Sequence, residues 1–212
     1  MSNSMLGVLI DFEGIDGAGK RTQSNLLADK LRQRQLPVAV HSYPDYASRY
    51  GMVIKEFLNS RISLTVEEQL FLYLLDMIKD KEKVRQMVRE RHTVIMDRYF
   101  PSTVAYQCAR GFSYEKAKRI VESTDFPVPS VIFYLQMPVD ITRPRMSQRG
   151  VNLDRFEVDA EFLSKVRAMY ERMIAENFPS SVWRTLDGTQ QPEVIHGQVL
   201  SVVEQLMSGR GR

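Results

Sequence analysis

The stretch Ile10-Asp11-Phe12-Glu13-Gly14-Ile15-Asp16-Gly17-Ala18-Gly19-Lys20-Arg21-Thr22 constrains this chain more than any other. An apolar run enters a loop with glycines at 14, 17 and 19, and Lys20 follows where a helix-forming stretch begins. Such a loop can turn its backbone N–H groups inward around an anion, and only small residues let the backbone come that close. The helix adds the partial positive charge of its N-terminus, and Lys20 adds a full one. Gly14, Gly19 and Lys20 stand at P-loop spacing, so Gly14, Ile15, Asp16, Gly17, Ala18, Gly19, Lys20, Arg21 and Thr22 read as a cradle for the phosphates of a nucleoside triphosphate. The plainer alternative is a glycine-rich turn that holds nothing. The pattern asks for a Ser or Thr directly after the lysine, as a Mg²⁺ ligand. Arg21 stands there and Thr22 comes one later, which leaves the cradle intact but puts the direct hydroxyl–metal contact in question.

Strand-like and helix-like segments then alternate. Strands are expected at Leu6 to Phe12, Val38 to Tyr43, Thr93 to Met96, Val131 to Leu135 and Val182 to Leu186. Helices are expected at Thr22 to Arg34, Met52 to Asn59, Val66 to Glu90, from Ser102, from Tyr114, from a cap at Asp140, at Ala160 to Glu176 and at Pro192 to Met207. The Val66 helix has two characters: apolar all round from Leu70 to Leu75, which implies burial on two sides, then charged with Val84, Met87 and Val88 on one face. The charged half reads as a solvated face, not a nucleic-acid patch. Five strands separated by helices predict an α/β fold, a five-stranded parallel sheet with helices on both faces and the site along the strand C-termini. Residues 1–212 read as a single domain with a short tail at 208–212.

Composition limits the function classes. Hydrophobic content of 43%, charged content of 26% and a net charge of +3 suit a globular protein that binds phosphates, without requiring nucleic acid. A single cysteine, Cys108, excludes an internal disulfide and fits a reducing, cytoplasmic setting. The apolar N-terminal run continues into the glycine loop and so reads as a strand, not a signal peptide, and no apolar run is long enough to span a membrane.

Asp97 ends an apolar strand, where an acid can hold Mg²⁺ through water, and Arg98 beside it has the fork to grip a phosphate. A surface ion pair is the bland reading of the same two residues. With these in view, four stretches resemble the thymidylate kinases, nucleoside monophosphate kinases that make dTDP from dTMP and ATP. They are Phe12 through Lys20; Tyr43-Pro44-Asp45-Tyr46 with Gly51; Asp97-Arg98-Tyr99 through Ser102-Thr103-Val104-Ala105-Tyr106-Gln107; and Arg149-Gly150 with Leu153-Asp154-Arg155-Phe156-Glu157. The P-loop is shared by many NTPases; the third stretch is far narrower.

The resemblance implies a kinase domain with a mobile lid at about residues 145–157 and a homodimer using the apolar half of the Val66 helix. It implies ATP and dTMP as substrates, with Mg²⁺. Lys20, Arg98, Asp16 and Arg149 would be catalytic. The P-loop, with Arg145 and Arg149, would bind ATP. Asp16, Tyr43, Pro44, Tyr46, Phe71 or Tyr73, Arg98, Ser102, Thr103, Tyr106 and Gln107 would bind dTMP. Gln107 or Thr103 would meet the thymine edge, and Tyr106 would lie under the deoxyribose, although a core aromatic at helical spacing would look the same. Asp97, Asp16 and Thr22 are the candidate metal ligands.

Two positions depart from the family pattern: Tyr46 stands where some members place an arginine, although a tyrosine there also occurs in the family, and a cation on the long helix is missing. Many members carry an aromatic on the long helix and an arginine four residues later. Here the later residue is Met77 after Tyr73, or Leu75 after Phe71, so that cation is missing, with Arg49 as a candidate substitute. The P-loop holds Gly17 where some members have arginine, while Arg145, Arg149 and Arg155 fall in the lid region. Two rival functions stay open. A deoxynucleoside kinase would need Glu13 as a base. A non-catalytic nucleotide- or nucleic-acid-binding protein would bind without turnover. No guanine motif of the GTPase kind is present.

Overall fold

The strands differ in how apolar they are, and that difference sorts them in the sheet. The computed structural model describes residues 7–142, 160–180 and 182–209. Its strands are β1 (Val8–Glu13), β2 (Val38–Ser42), β3 (Thr93–Asp97), β4 (Val131–Gln136) and β5 (Trp183–Asp187), ordered β2-β3-β1-β4-β5 with every pairing parallel. β1, β3 and β4 are buried almost end to end and take the middle. β2 is only half-buried, and β5 exposes Arg184, Thr185 and Asp187; these take the edges. A parallel strand covered on both faces needs a continuous apolar run, which is what the three middle strands supply.

The helices are α1 (Lys20–Gln33), α2 (Arg49–Leu58), α3 (Val66–Ile78), α4 (Lys81–Arg89), α5 (Phe100–Ala109), α6 (Tyr114–Ser123), α7 (Ala160–Ala175) and α8 (Pro192–Met207). α1 packs on β1, β2, β3 and α8, while α5 packs against α3, α6 and α7. β1 lies at the centre of the sheet. Its connection leads toward β2 on one side, and that of β3 leads to β4 on the other, so the crevice lies beyond the strand C-termini.

The single helix expected from Val66 to Glu90 is two helices, broken at Lys79 and Asp80. Tertiary contacts claim both residues. Lys79 Nζ donates to the Asp76 carbonyl at 2.8 Å and to Asp80 Oδ2 at 2.7 Å, and lies 3.2 Å from an Asp45 carboxylate oxygen. Tyr43 donates its hydroxyl to Asp80 Oδ2 at 3.0 Å. Nearby, buried Asp76 accepts from the Asp45 N–H at 2.7 Å and the Ser48 hydroxyl at 2.5 Å. The network binds the Tyr43–Ser48 segment to the end of α3. Gly51 is required in the same corner, because a Cβ there would stand 1.9 Å from the Asp45 carbonyl oxygen.

Within one copy of the chain the apolar half of α3 is buried on one side. Leu70, Leu74 and Met77 are buried, but Phe71, Leu75 and Ile78 are 44%, 40% and 36% exposed. Asp140 lies within a helical turn at 139–142 and does not precede it. The lid reading at about residues 145–157, with Arg145, Arg149, Gly150 and Arg155, falls outside the described residues, as do Leu6 and the end of the tail.

The apolar reading of the first strand passed over Asp11. This side chain is fully buried, and neither carboxylate oxygen has a hydrogen-bond partner among the described residues. Burial, and then the Glu13 carboxylate beside it, raise its pKa and favour the neutral acid. A folded pKa above the unfolded one means stability falls as pH rises through the interval between them. Asp11→Val should therefore stabilise the fold by about 1–3 kcal/mol at neutral pH. The gain should shrink as pH approaches ~4. Urea unfolding at several pH values reads this out, and a destabilised variant would contradict it.

Candidate active site

At the end of β1 the chain turns into a loop whose Gly14, Gly17 and Gly19 all have positive φ. Gly19, at φ 99°, is the N-cap of α1 and starts the helix from a left-handed turn that a side chain would strain. Lys20 is 6% exposed, and its Nζ donates to the Gly14 and Ile15 carbonyls, each at 2.9 Å. Burial, and then the positive charge of Arg98, push its pKa down to about 8.

Arg98 follows β3. Its φ of 71° is left-handed, a costly conformation for a residue with a side chain. Its backbone N–H donates to the Phe12 carbonyl at 3.2 Å. The guanidinium reaches the Gly14 carbonyl at 3.3 Å, the Ser102 hydroxyl at 2.9 Å and the Asp16 carboxylate, and lies 5.2 Å from the centre of the Tyr106 ring. Tyr106 donates its hydroxyl to the other Asp16 oxygen at 2.5 Å. Burial alone would raise the pKa of Asp16, but Arg98 and Lys20 reverse that and hold its carboxyl below the usual range.

Glu13 organises this corner from below. It is fully buried, and Oε1 accepts the backbone N–H groups of Tyr99 at 2.9 Å and Ser102 at 3.2 Å. These belong to the first turn of α5, which has no side-chain cap of its own and carries Pro101, which has no N–H to satisfy. The carboxylate from β1 thus caps a helix from another part of the chain. Its Oε2 accepts the Ser102 hydroxyl at 2.5 Å and the Tyr170 hydroxyl, from α7, at 2.7 Å. A carboxylate so fully engaged is a poor general base.

Two clefts open from this centre. One, narrow at about 100 Å³, is lined by Asp16, Tyr43, Pro44, Tyr46, Leu58, Tyr73, Met77, Arg98, Ser102, Thr103, Tyr106, Gln107 and Arg110. The other, about 500 Å³, lies between Gly17–Gly19, Thr22 and Gln23 on one side and the 188–192 turn with Ile195 on the other. The expected acceptor residues therefore come together, with one exception. Tyr73 faces the first cleft and Phe71 does not; Phe71 is 44% exposed. Arg49 is also absent from the lining and instead stacks on Tyr50 at 5.3 Å. Arg110, passed over in the sequence because it follows the last recognisable motif position, lines the cleft. Arg145 and Arg149 lie outside the described residues.

Thr22 lines the larger cleft, while Asp97 ends β3 opposite Phe12 of β1 and lines neither cleft; among the described residues no side chain hydrogen-bonds the Asp97 carboxylate, so its oxygens are open to a Mg²⁺ ion. Both Asp16 oxygens are engaged by Arg98 and Tyr106, which makes Asp16 the weaker ligand of the three. Among the described residues no group of three or more His, Cys, Asp or Glu is clustered for a metal. Magnesium bound with nucleotide phosphates needs only one or two protein ligands.

A family model described as thymidylate kinase matches residues 12–199. The chain belongs to the thymidylate kinase family. It is 35% identical over 210 residues to a thymidylate kinase of Desulfotalea psychrophila, with 98% of each chain covered. It is 34% identical over 211 residues to one from Chlorobium chlorochromatii, covering 93% and 94%. Its fold matches the solved thymidylate kinase of Candida albicans with a TM-score of 0.81 at 22% identity, over 97% of this chain and 94% of that one.

The lowered pKa of Lys20 has a consequence for nucleotide binding. The free folded protein binds fewer protons than the unfolded chain between about pH 8 and 10.5. A phosphate against Nζ favours the ammonium form and draws a proton back. Calorimetry of ATP binding near pH ~8.5, in buffers of different ionisation enthalpy, should show net proton uptake that Lys20→Met abolishes. Equal heats in all buffers would contradict it.

Proposed function

We propose that this chain transfers the γ-phosphoryl group of ATP to dTMP, giving dTDP and ADP. The observation that carries the reading is the placement of Lys20 and Arg98 at the junction of two clefts, with both cations resting on the Gly14 carbonyl. One cleft opens on the P-loop and the turn before α8, where ATP would lie. The other runs along α5, where dTMP would lie with its phosphate at Arg98 and Ser102.

The acceptor oxygen of a monophosphate is anionic near neutral pH, so no general base is needed. His41, His92 and His196 lie outside both clefts. The barrier is electrostatic. Two unit charges about 4 Å apart at an effective dielectric of ~20 cost about 4 kcal/mol, and two polyanions must meet in line. Lys20 would leave its loop carbonyls for the ATP phosphates, and Arg98 would hold the acceptor phosphate while Asp16 and Tyr106 fix its fork. Mg²⁺ bound with ATP supplies charge neutralisation at the phosphates, and Asp97, through water, and Thr22 are the residues that would hold it. Arg145 and Arg149 are proposed as the lid cations that complete the ATP site. The capping role of Glu13 weighs against a deoxynucleoside kinase, which would need this side chain as a base.

The exposed apolar residues of α3, Phe71, Leu75 and Ile78, support a homodimer through this helix. No helix among the described residues is long and apolar enough to cross a membrane, and a cytoplasmic location is part of the proposal.

In an ADP-release assay across nucleoside monophosphates, dTMP should be the preferred acceptor, and chelating Mg²⁺ should stop turnover. Lys20→Ala and Arg98→Ala should each lower turnover by roughly 10²–10⁴-fold with an unchanged circular dichroism spectrum. Near-normal rates in either variant, or no reaction with dTMP, would refute the assignment. In sedimentation velocity, Leu75→Glu should turn a dimer into a monomer; an unchanged species would place the interface elsewhere.

A further inference from the structure

We infer that Arg110 reads the base of the acceptor nucleotide, donating from its guanidinium to a ring carbonyl beside Gln107. The inference rests on reading the α5 cleft as the nucleoside monophosphate site. That cleft is lined by two arginines, Arg98 before the N-terminus of α5 and Arg110 at its C-cap. Ser102, which touches Arg98, and Arg110 are separated by about 12 Å along the helix axis. A phosphate gripped at Arg98 and Ser102 is therefore out of reach of Arg110, which meets the far end of the ligand.

Thr103, Gln107 and Arg110 follow one another at helical spacing and share the face of α5 that lines the cleft. Thr103 and Gln107 are 3% and 2% exposed, and Thr103 Oγ1 and Gln107 Oε1 have no hydrogen-bond partner among the described residues. Buried polar atoms in this state call for a partner, which a turn of either side chain toward the cleft would let a ligand supply. The last turn of α5 is held in place: the N–H groups of Arg110 and Phe112 both donate to the Gln107 carbonyl, at 3.1 and 3.0 Å. On the facing side α3 contributes Tyr73 and Met77, which are apolar surface and no cation.

The polar pattern selects one class of base. A guanidinium only donates, and Gln107 Oε1 only accepts. Together they fit a ring that presents a carbonyl next to an N–H, the imide edge of thymine or uracil. Cytosine offers an amino group in place of that carbonyl, so the guanidinium contact would be mismatched, whereas the Gln107 amide can turn its NH₂ to the bare ring nitrogen. A site built to hydrogen-bond a ligand group rejects the analogue that lacks it much more strongly than an apolar wall does.

Arg110→Met and Arg110→Lys would be assayed beside the wild type with dTMP, dUMP and dCMP at saturating ATP. The wild type should favour both imide bases over dCMP. Arg110→Met should raise the KM for dTMP roughly 10–100-fold with kcat and the KM for ATP little changed, and dCMP should suffer much less, so that the preference collapses. Arg110→Lys keeps the positive charge at the helix C-terminus but loses the fork, and should still raise that KM by roughly fivefold or more. Returning a guanidinium to the same end of the cleft in Arg110→Met/Met77→Arg should restore most of the preference. An unchanged KM for dTMP in Arg110→Lys or Arg110→Met, or an equal loss with dTMP and dCMP, would overturn the role of Arg110 while leaving the kinase reading intact. A wild type inactive on dTMP would instead overturn that reading, and this inference with it.

Discussion

Glu13 accepts four hydrogen bonds from groups that are distant in the chain: two backbone N–H groups and a hydroxyl at the start of α5, and the Tyr170 hydroxyl of α7. The cost of burying this carboxylate, visible in its raised pKa, is offset by these bonds and by the charge of Arg98. Its position couples the two halves of the site. The strand that carries Glu13 leads directly into the P-loop, and the helix it caps lines the acceptor cleft from end to end. The distance between Lys20 and Arg98 is therefore set by a short path through the most buried part of the sheet.

A second network sets the outer wall of the acceptor cleft. Lys79, Asp76, Asp80 and Asp45 tie the Tyr43–Ser48 segment to the end of α3, so that Tyr43, Pro44 and Tyr46 face Tyr73 and Met77 across the cleft. Asp76 is buried, and its two oxygens meet a backbone N–H, a hydroxyl and an ammonium. An ion pair satisfied in this way contributes more to geometry than to net stability, and geometry is what in-line transfer demands.

Among the described residues Arg98 forms an ion pair with Asp16, while Glu13 acts on both cations, and Asp97 on Lys20, at longer range; both cations rest on loop carbonyls. Exchanging those carbonyls for phosphates would alter the electrostatics of the whole centre, because Arg98 and Asp16 shift the protonation of Lys20, and Arg98 and Lys20 shift that of Asp16. The site is thus set by charges that the ligands complete.

Much of the molecule was legible in the chain. The P-loop, the acid–arginine pair after β3 and the face of α5 are local patterns: glycines at a turn, an apolar run ended by an acid, residues at helical spacing. The fold class followed because five strands separated by helices build a parallel sheet, whereas the strand order came only with the tertiary structure. What escaped depends on residues that are far apart in sequence. Glu13 looks the same in the chain whether it is a base or a cap, and only the position of α5 above it decides. The Val66 helix breaks because partners some thirty residues earlier claim Lys79 and Asp80. Asp11 reads as one polar residue in an apolar strand until packing closes over it. Arg110 carries no motif, and it enters the site only because α5 runs along the cleft for its whole length. Local backbone chemistry determined where the glycine-rich cradle forms, whereas tertiary packing decided which buried charges hold it in place and which side chains line the far end of the α5 cleft.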